Sequence, residues 1–432
     1  MRALIVTYQF PPVGGAGVQR VAKLVKYLVH HGVEPTVLTC GNPSVPLRDE
    51  SLLADLPPQV SIVRTRTFEP GYALKQSAWQ AQAGDQAAPP SLRKRAVRSL
   101  TSLAKQLLVP DPQVLWQPTA LPALLRETRT NDVVLISGPP FSQFALGPAA
   151  RLAGKPFVLD YRDEWSTYRT TYEMMGGSIG RAVGETLEPA VLRQAAFVTM
   201  ATEEFRANLL EHYPFLDPAR VVTIENGYDP DDFPATLPSP PADRYVVAYA
   251  GTVFKLTSLR GFLEAVRLLH RDSPELARHL RVEIMGRVVD TELDAFEGTE
   301  ALGVHRRGYV AHAEVLPRLA SAHEVLCVLD EVAGNERIYP AKIFELMILG
   351  RPLLTLAPPG ALQRLVDKLQ LGPVLPPRDA TAIARHLAER IQRFLDGKLD
   401  VSPPRSPGVA QYHRSAQAGR FAEVLRAAAQ LR

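Results

Sequence analysis

Only two cysteines occur in 432 residues. Both, Cys40 and Cys327, fall inside segments that read as buried strands. That excludes a disulfide framework and a thiolate metal site, and leaves them as small apolar residues in a reducing compartment. A large excess of charge of one sign is missing too. The net charge of +4 is too small over this length for a nucleic-acid footprint, so no nucleic acid is expected as a partner. No apolar run is long enough to span a bilayer. The first strand runs straight into Pro11-Pro12, without the apolar length or cleavage site of a signal peptide. A cytoplasmic protein is expected. No His/Asp cluster shows metal-ligand spacing, so no metal and no cofactor are expected.

The length is too great for one ordinary core and predicts two domains. Ala3–Tyr8 is a continuous β-type run, as in a buried parallel strand. A loop with Gly14, Gly15 and Gly17 follows, then apolar residues at helical spacing from Val18 to Val29, then a strand at Thr36–Thr39. This is a βαβ opening with glycines at the strand-to-helix turn, where phosphates commonly sit. The bland alternative for those glycines is a tight turn alone. The dinucleotide fingerprint is missing: no third glycine follows Gly17, and the second strand ends Leu38-Thr39-Cys40-Gly41 without an acid for a ribose. NAD binding is therefore not expected.

Further strands at Val133–Ile136 and Phe157–Leu159 end in Ser137-Gly138-Pro139-Pro140 and Asp160-Tyr161-Arg162-Asp163-Glu164-Trp165. Functional groups gather at the carboxyl ends of parallel strands. Arg162 and Asp163 there either handle a substrate or form an internal ion pair that braces the loop. Between these regions, Ser91–Val109 carries a Leu/Ala face, five cations (Arg93, Lys94, Arg95, Arg98, Lys105) and no acid. It reads as a helix packed on its own domain or as one lying on an anionic membrane. A second βαβ series starts at Tyr245, with Gly251-Thr252-Val253-Phe254-Lys255 after its first strand.

Within that series, Ile338–Leu354 is the most informative stretch. Pro340 suits a first helical turn, Gly350 a left-handed cap, and Pro352 forbids continuation. The residues between are apolar nearly all round, so the helix should be buried. Glu345 is the anomaly, because a buried carboxylate is costly unless it is hydrogen-bonded. Its partner is either a cation from a neighbouring strand or a pair of ligand hydroxyls, with Lys342 close to an anion.

These motifs resemble the family 4 glycosyltransferases, in particular a subgroup with Ser-Gly-Pro-Pro, Asp-x-Arg-Asp-x-Trp and Pro-x-Lys-x-x-Glu. The resemblance implies an α/β chain of the GT-B fold: two Rossmann-like domains facing across a cleft, with a C-terminal helix crossing back to the first. The expected divisions are 1–233 for the acceptor domain, 234–243 for the linker, 244–408 for the donor domain and 409–432 for the returning helix. It implies that Glu345 holds the ribose of a nucleotide-sugar, with Gly14, Gly15, Gly251, Gly286, Tyr309 and Lys342 completing the donor site. Ser137, Arg162 and Asp163 would face the acceptor, and Lys255, Arg260 and Asp163 would carry the catalysis. The chain departs from the family in several places. Thr252 stands where an Arg is usual, Arg260-Gly261 where Lys-Gly is usual, and Glu336 misses by one residue the register of a first glutamate. No histidine occurs near Ser137. Lys255 either supplies the missing cation or is a solvated loop lysine.

The function implied is that of a retaining, metal-independent hexosyltransferase using a UDP- or GDP-sugar and a hydroxyl acceptor. A lipid-linked glycan would suit that acceptor if Ser91–Val109 docks at the inner face of the cell membrane, and glycan or polysaccharide assembly is the expected setting. A sugar-nucleotide epimerase of the same fold and a non-catalytic nucleotide-sugar-binding partner are the alternatives.

Overall fold

The computed structural model describes residues 1–14, 16–45, 48–72, 108–167, 178–233, 236–401 and 406–431. Gly15 and all of Ser91–Val109 except its last two residues lie outside them. The chain divides into two compact units, Met1–Asn226 with Arg414–Arg432, and Gly227–His413. The division thus falls at Asn226 and Gly227, ahead of the proline-rich stretch that composition marks as the linker.

The first unit is built on a seven-stranded sheet of order β3-β2-β1-β4-β5-β6-β7, parallel throughout. Its strands are β1 Arg2–Val6, β2 Glu34–Cys40, β3 Ser61–Thr65, β4 Val133–Gly138, β5 Phe157–Tyr161, β6 Phe197–Met200 and β7 Val221–Thr223. Every residue of β4 and β5 is buried. That is the condition of a parallel strand covered on both faces, and it is why these strands read as unbroken apolar runs. One face is covered by helix Ala16–Leu28 and by the returning helix Arg414–Gln430. Phe421, Leu425 and Ala428 share a core with Val21, Val25 and Leu28.

The second unit repeats the plan with six parallel strands ordered β10-β9-β8-β11-β12-β13. They are β8 Tyr245–Ala250, β9 Leu280–Met285, β10 Val304–Gly308, β11 Glu324–Val328, β12 Leu353–Leu356 and β13 Val374–Leu375. Along β8 the side chains alternate between two cores. Val246, Ala248 and Ala250 meet Phe344 and Leu349, whereas Tyr245, Val247 and Tyr249 meet Phe262 and Leu387. Helices Arg260–Asp272 and Ala380–Leu395 cover the second face. In both units the order reverses beside the first strand, and ligands of open α/β sheets bind at that point.

The helix read from the Pro340–Gly350 stretch is shorter than its caps suggest, Lys342–Leu346. Its flanks still behave as expected: Leu346, Met347, Ile348 and Leu349 are buried, and Gly350 has φ 71°. Both cysteines are free and buried.

Candidate functional site

In the second unit, the residues expected at the donor site follow the carboxyl ends of β8, β9, β10 and β11. Glu345 is 8% exposed, and the Lys342 Nζ donates to its Oε2 at 3.3 Å. This cation comes from the first residue of the same short helix. Both residues expected at the ribose and phosphate are therefore side by side.

Two of the expected glycines lie against each other. Gly286 follows β9 with φ +129°, and a Cβ on it would stand 2.1 Å from the carbonyl oxygen of Gly251, which follows β8. Only glycine fits such an approach of two backbones. A Cβ on Gly251 would in turn meet the Tyr249 hydroxyl at 2.8 Å. Tyr309, one residue beyond β10, is 60% exposed.

Lys255 is exposed and opens the short 3-10 turn Lys255–Thr257. Arg260, five residues on, has a different employment from the one expected. Its guanidinium takes both oxygens of Asp294 (2.8 and 2.5 Å), donates to the Thr291 carbonyl at 2.7 Å and lies 3.5 Å from Glu292. Its hydrogen bonds to Asp294 raise its pKa, and two carboxylates already compensate its charge. Gly261 beside it is required for packing, since a Cβ there would meet the Pro377 carbonyl oxygen at 2.0 Å.

In the first unit, Ser137, Asp160 and Thr199 are register neighbours across β4, β5 and β6. All three are fully buried. Ser137 donates to Asp160 Oδ2 at 2.6 Å and Thr199 to Oδ1 at 2.9 Å. Arg20, from the helix after the glycine loop, adds a bidentate pair at 2.8 and 3.2 Å. Burial alone would raise the Asp160 carboxyl. The Arg20 charge and these hydrogen bonds outweigh it and hold the group below the usual carboxylate range. This corrects the acceptor reading of Ser137: its hydroxyl is committed to Asp160 inside the sheet.

Arg162 also turns inward. It donates to the carbonyls of Gly138 (3.2 Å), Pro139 and Gly17, and so ties the Ser-Gly-Pro-Pro loop to the start of helix Ala16–Leu28. Arg162 braces the loop, as one of its two readings has it, but through carbonyls. The two motifs are further locked by Phe141 stacked on Trp165 at 5.3 Å. Asp163 stays exposed. Glu188, buried on helix Ser178–Leu192, accepts from the Ser166 backbone at 3.0 Å and anchors the end of that loop. Burial pushes its carboxyl up.

Asp229 and Asp231 stand in Asp-x-Asp spacing, a pattern common at metal sites. Here Asp229 instead caps the turn Pro230–Asp232 by accepting from the Asp231 N–H at 3.1 Å. Among the described residues no three His, Cys, Asp or Glu side chains gather as a metal would require, and no helix is long and apolar enough to cross a membrane.

Two parallel doubly wound units, a chain end that returns to the first, and polar groups at the carboxyl ends of both sheets define the GT-B class. Solved structures agree over nearly the whole chain. Anabaena HepE, solved with UDP and glucose, superposes with a TM-score of 0.62 at 15% identity, covering 99% of each chain. The trehalose-6-phosphate protein of E. coli bound to UDP-2-fluoro glucose gives 0.58 at 11% identity, again covering 99% of each. WaaG, a glycosyltransferase involved in lipopolysaccharide biosynthesis, gives 0.52 at 14% identity, with 98% of this chain and 99% of that one covered. No curated protein sequence matches the chain. Residues 14–227 match the glycosyl transferase 4-like domain, so the first unit is a domain of that family, and the chain as a whole has the GT-B fold.

Proposed function

We propose that the protein transfers a hexosyl group from a UDP- or GDP-sugar to a hydroxyl acceptor with retention at the anomeric carbon. The observation that carries this reading is Glu345, a buried carboxylate whose partner Lys342 lies on its own short helix. A carboxylate so placed can accept both hydroxyls of a ribose, with Lys342 left near the phosphates. Gly251 and Gly286 leave backbone open to the diphosphate, and Tyr309 stands beside the base. Lys255 compensates the charge that grows on the leaving diphosphate, and no metal is required for that task. Arg260, held by Asp294 and Glu292, positions the turn instead. Asp163 is an exposed carboxylate just past the carboxyl end of β5 and orients the acceptor hydroxyl, whose proton passes to the donor phosphate in a front-face attack.

That neighbouring folds are solved with uridine nucleotides supports UDP-sugars as the first donors to test. A lipid-linked glycan acceptor at the inner face of the cell membrane is the matching proposal for Ser91–Val109. Thermal-shift screening against UDP, GDP, ADP and dTDP sugars tests the donor class, since a ligand at 100 times its Kd stabilises by about 2.7 kcal/mol. Donor turnover is then compared with and without acceptor extract. A transferase consumes donor when acceptor is present, an epimerase converts donor alone, and a binding partner does neither.

A further inference from the structure

We propose that Asn335 is a positioning residue that fixes the turn carrying Lys255 for recognition of a nucleotide's second phosphate. The inference rests on the nucleotide-sugar reading above and adds to it a residue that no motif marks. Asn335 is fully buried in the loop between β11 and helix Lys342–Leu346. Its Nδ2 donates to the Asp330 carbonyl at 2.8 Å and to the Leu256 carbonyl at 3.3 Å. The Asp330 N–H donates to the same Leu256 oxygen at 2.8 Å. One carbonyl, adjacent to Lys255 in the chain, thus takes two donors from the far side of the sheet's switch point.

The rest of the turn is held from the opposite side. The Val253 N–H donates to the Arg287 carbonyl at 2.8 Å, and the Val289 N–H to the Val253 carbonyl at 3.0 Å. The Tyr249 and Thr257 hydroxyls both donate to the Thr252 carbonyl, at 3.2 and 2.6 Å. Asp330 is itself held by Arg378 at 3.0 and 3.3 Å. Residues 252–257 are therefore pinned between two loops, and Asn335 is the side chain that joins them to the segment leading to Lys342 and Glu345. A buried primary amide is expensive unless its hydrogen bonds are made. Two of its bonds go to backbone, one in the turn at Leu256 and one in the loop after β11 at Asp330. With those bonds made, the Lys255 ammonium starts from a fixed Cα, and less order is lost when a phosphate arrives.

The test is calorimetric binding of UDP and UMP, and of GDP and GMP, to the full chain. The variants are Lys255→Ala, Asn335→Asp, Asn335→Ser and the double variant Lys255→Ala/Asn335→Asp. The readout is the preference for diphosphate over monophosphate, which a purely structural role would not move. Lys255→Ala should cut that preference by about tenfold, the worth of one charge-assisted contact. Asn335→Asp, which removes the donor and sets a carboxylate against two carbonyls, should cut it about fivefold while monophosphate affinity changes by less than about twofold. The double variant should be no worse than Lys255→Ala. Effects that multiply, or an unchanged preference in either Asn335 variant that melts cooperatively, would overturn the proposal. If the unmutated chain binds neither UDP nor GDP, the nucleotide-sugar reading itself falls; if it binds them without preferring diphosphate, only the Lys255 turn is wrongly assigned.

Discussion

Arg20 and Asp160 form a bidentate ion pair at 2.8 and 3.2 Å in which neither side chain is more than 3% exposed. Arg20 also donates to the Ile224 and Glu225 carbonyls at 2.8 and 3.0 Å and lies over the Phe421 ring at 5.2 Å. One side chain therefore holds the sheet, the strand leaving it and the returning helix. Arg20→Met leaves Asp160 charged and buried, and should cost about 3–5 kcal/mol in urea unfolding. The double variant with Asp160→Asn should recover part of that loss. The folded carboxyl titrates below the unfolded one, so its contribution is complete above a pH of about 4 and is lost as the pH falls through the folded value. A steeper acid dependence in wild type than in Arg20→Met/Asp160→Asn is the expected signature.

Glu345→Gln keeps volume and packing but removes the charge. Nucleotide affinity should fall by about 1.5–3 kcal/mol, the usual loss for hydrogen bonds to a charged group. The melting temperature without ligand should barely move, because Lys342 is partly solvated. Unchanged calorimetric affinity beside a large fall in melting temperature would leave Glu345 as a structural partner of Lys342 only.

Lys255→Ala and Arg260→Ala should separate cleanly. The first should depress turnover more than nucleotide affinity, because charge on the leaving group grows in the transition state. The second removes a half-exposed bidentate pair and should lower stability by up to about 1 kcal/mol with a smaller effect on turnover. Initial rates and thermal melts on the same preparations decide it. Wild-type turnover in Lys255→Ala would remove that residue from the mechanism. Turnover should also persist in EDTA; loss restored by Mg²⁺ or Mn²⁺ would sink the metal-free account.

His323 provides a pH test far from the chemistry. It is buried before β11 and accepts the Val246 N–H through Nδ1 at 3.0 Å. Burial, with Arg351 and Arg390 nearby, lowers its pKa to about 4. The neutral ring is the folded form, so stability is complete above a pH of about 6.5 and falls by up to about 1.4 kcal/mol per pH unit from there toward 4. A His323→Gln variant should lose that slope in urea melts followed between those pH values.

The doubly wound architecture was legible because its signals are local: unbroken apolar strands, helical spacing after them, and glycines at the turns. Glu345 was legible for the opposite reason, as a carboxylate where the pattern demanded an apolar residue. Ser137 shows the limit. Its motif points to the carboxyl end of a strand, but its partner Asp160, and the Thr199 and Arg20 that Asp160 also binds, come from three other elements. Only the lateral register of β4, β5 and β6 makes them neighbours. The pairing of Arg260 was hidden on the same account, since Asp294 lies on a separate turn. Asn335 gave no signal, because an asparagine in a loop beside glycine reads as turn chemistry.

The helix Arg414–Gln430 puts Phe421, Leu425 and Ala428 into the core of the first unit, yet all of Gly227–His413 stands between it and the rest of that unit. On the ribosome, the domain begun first is therefore completed last. Until that helix emerges, Val21, Val25 and Leu28 have an uncovered apolar face, so the nascent first unit is a natural client for chaperones. A genetic split at Asn226 would inherit the same gap, and supplying residues 414–431 as a separate peptide should repair it.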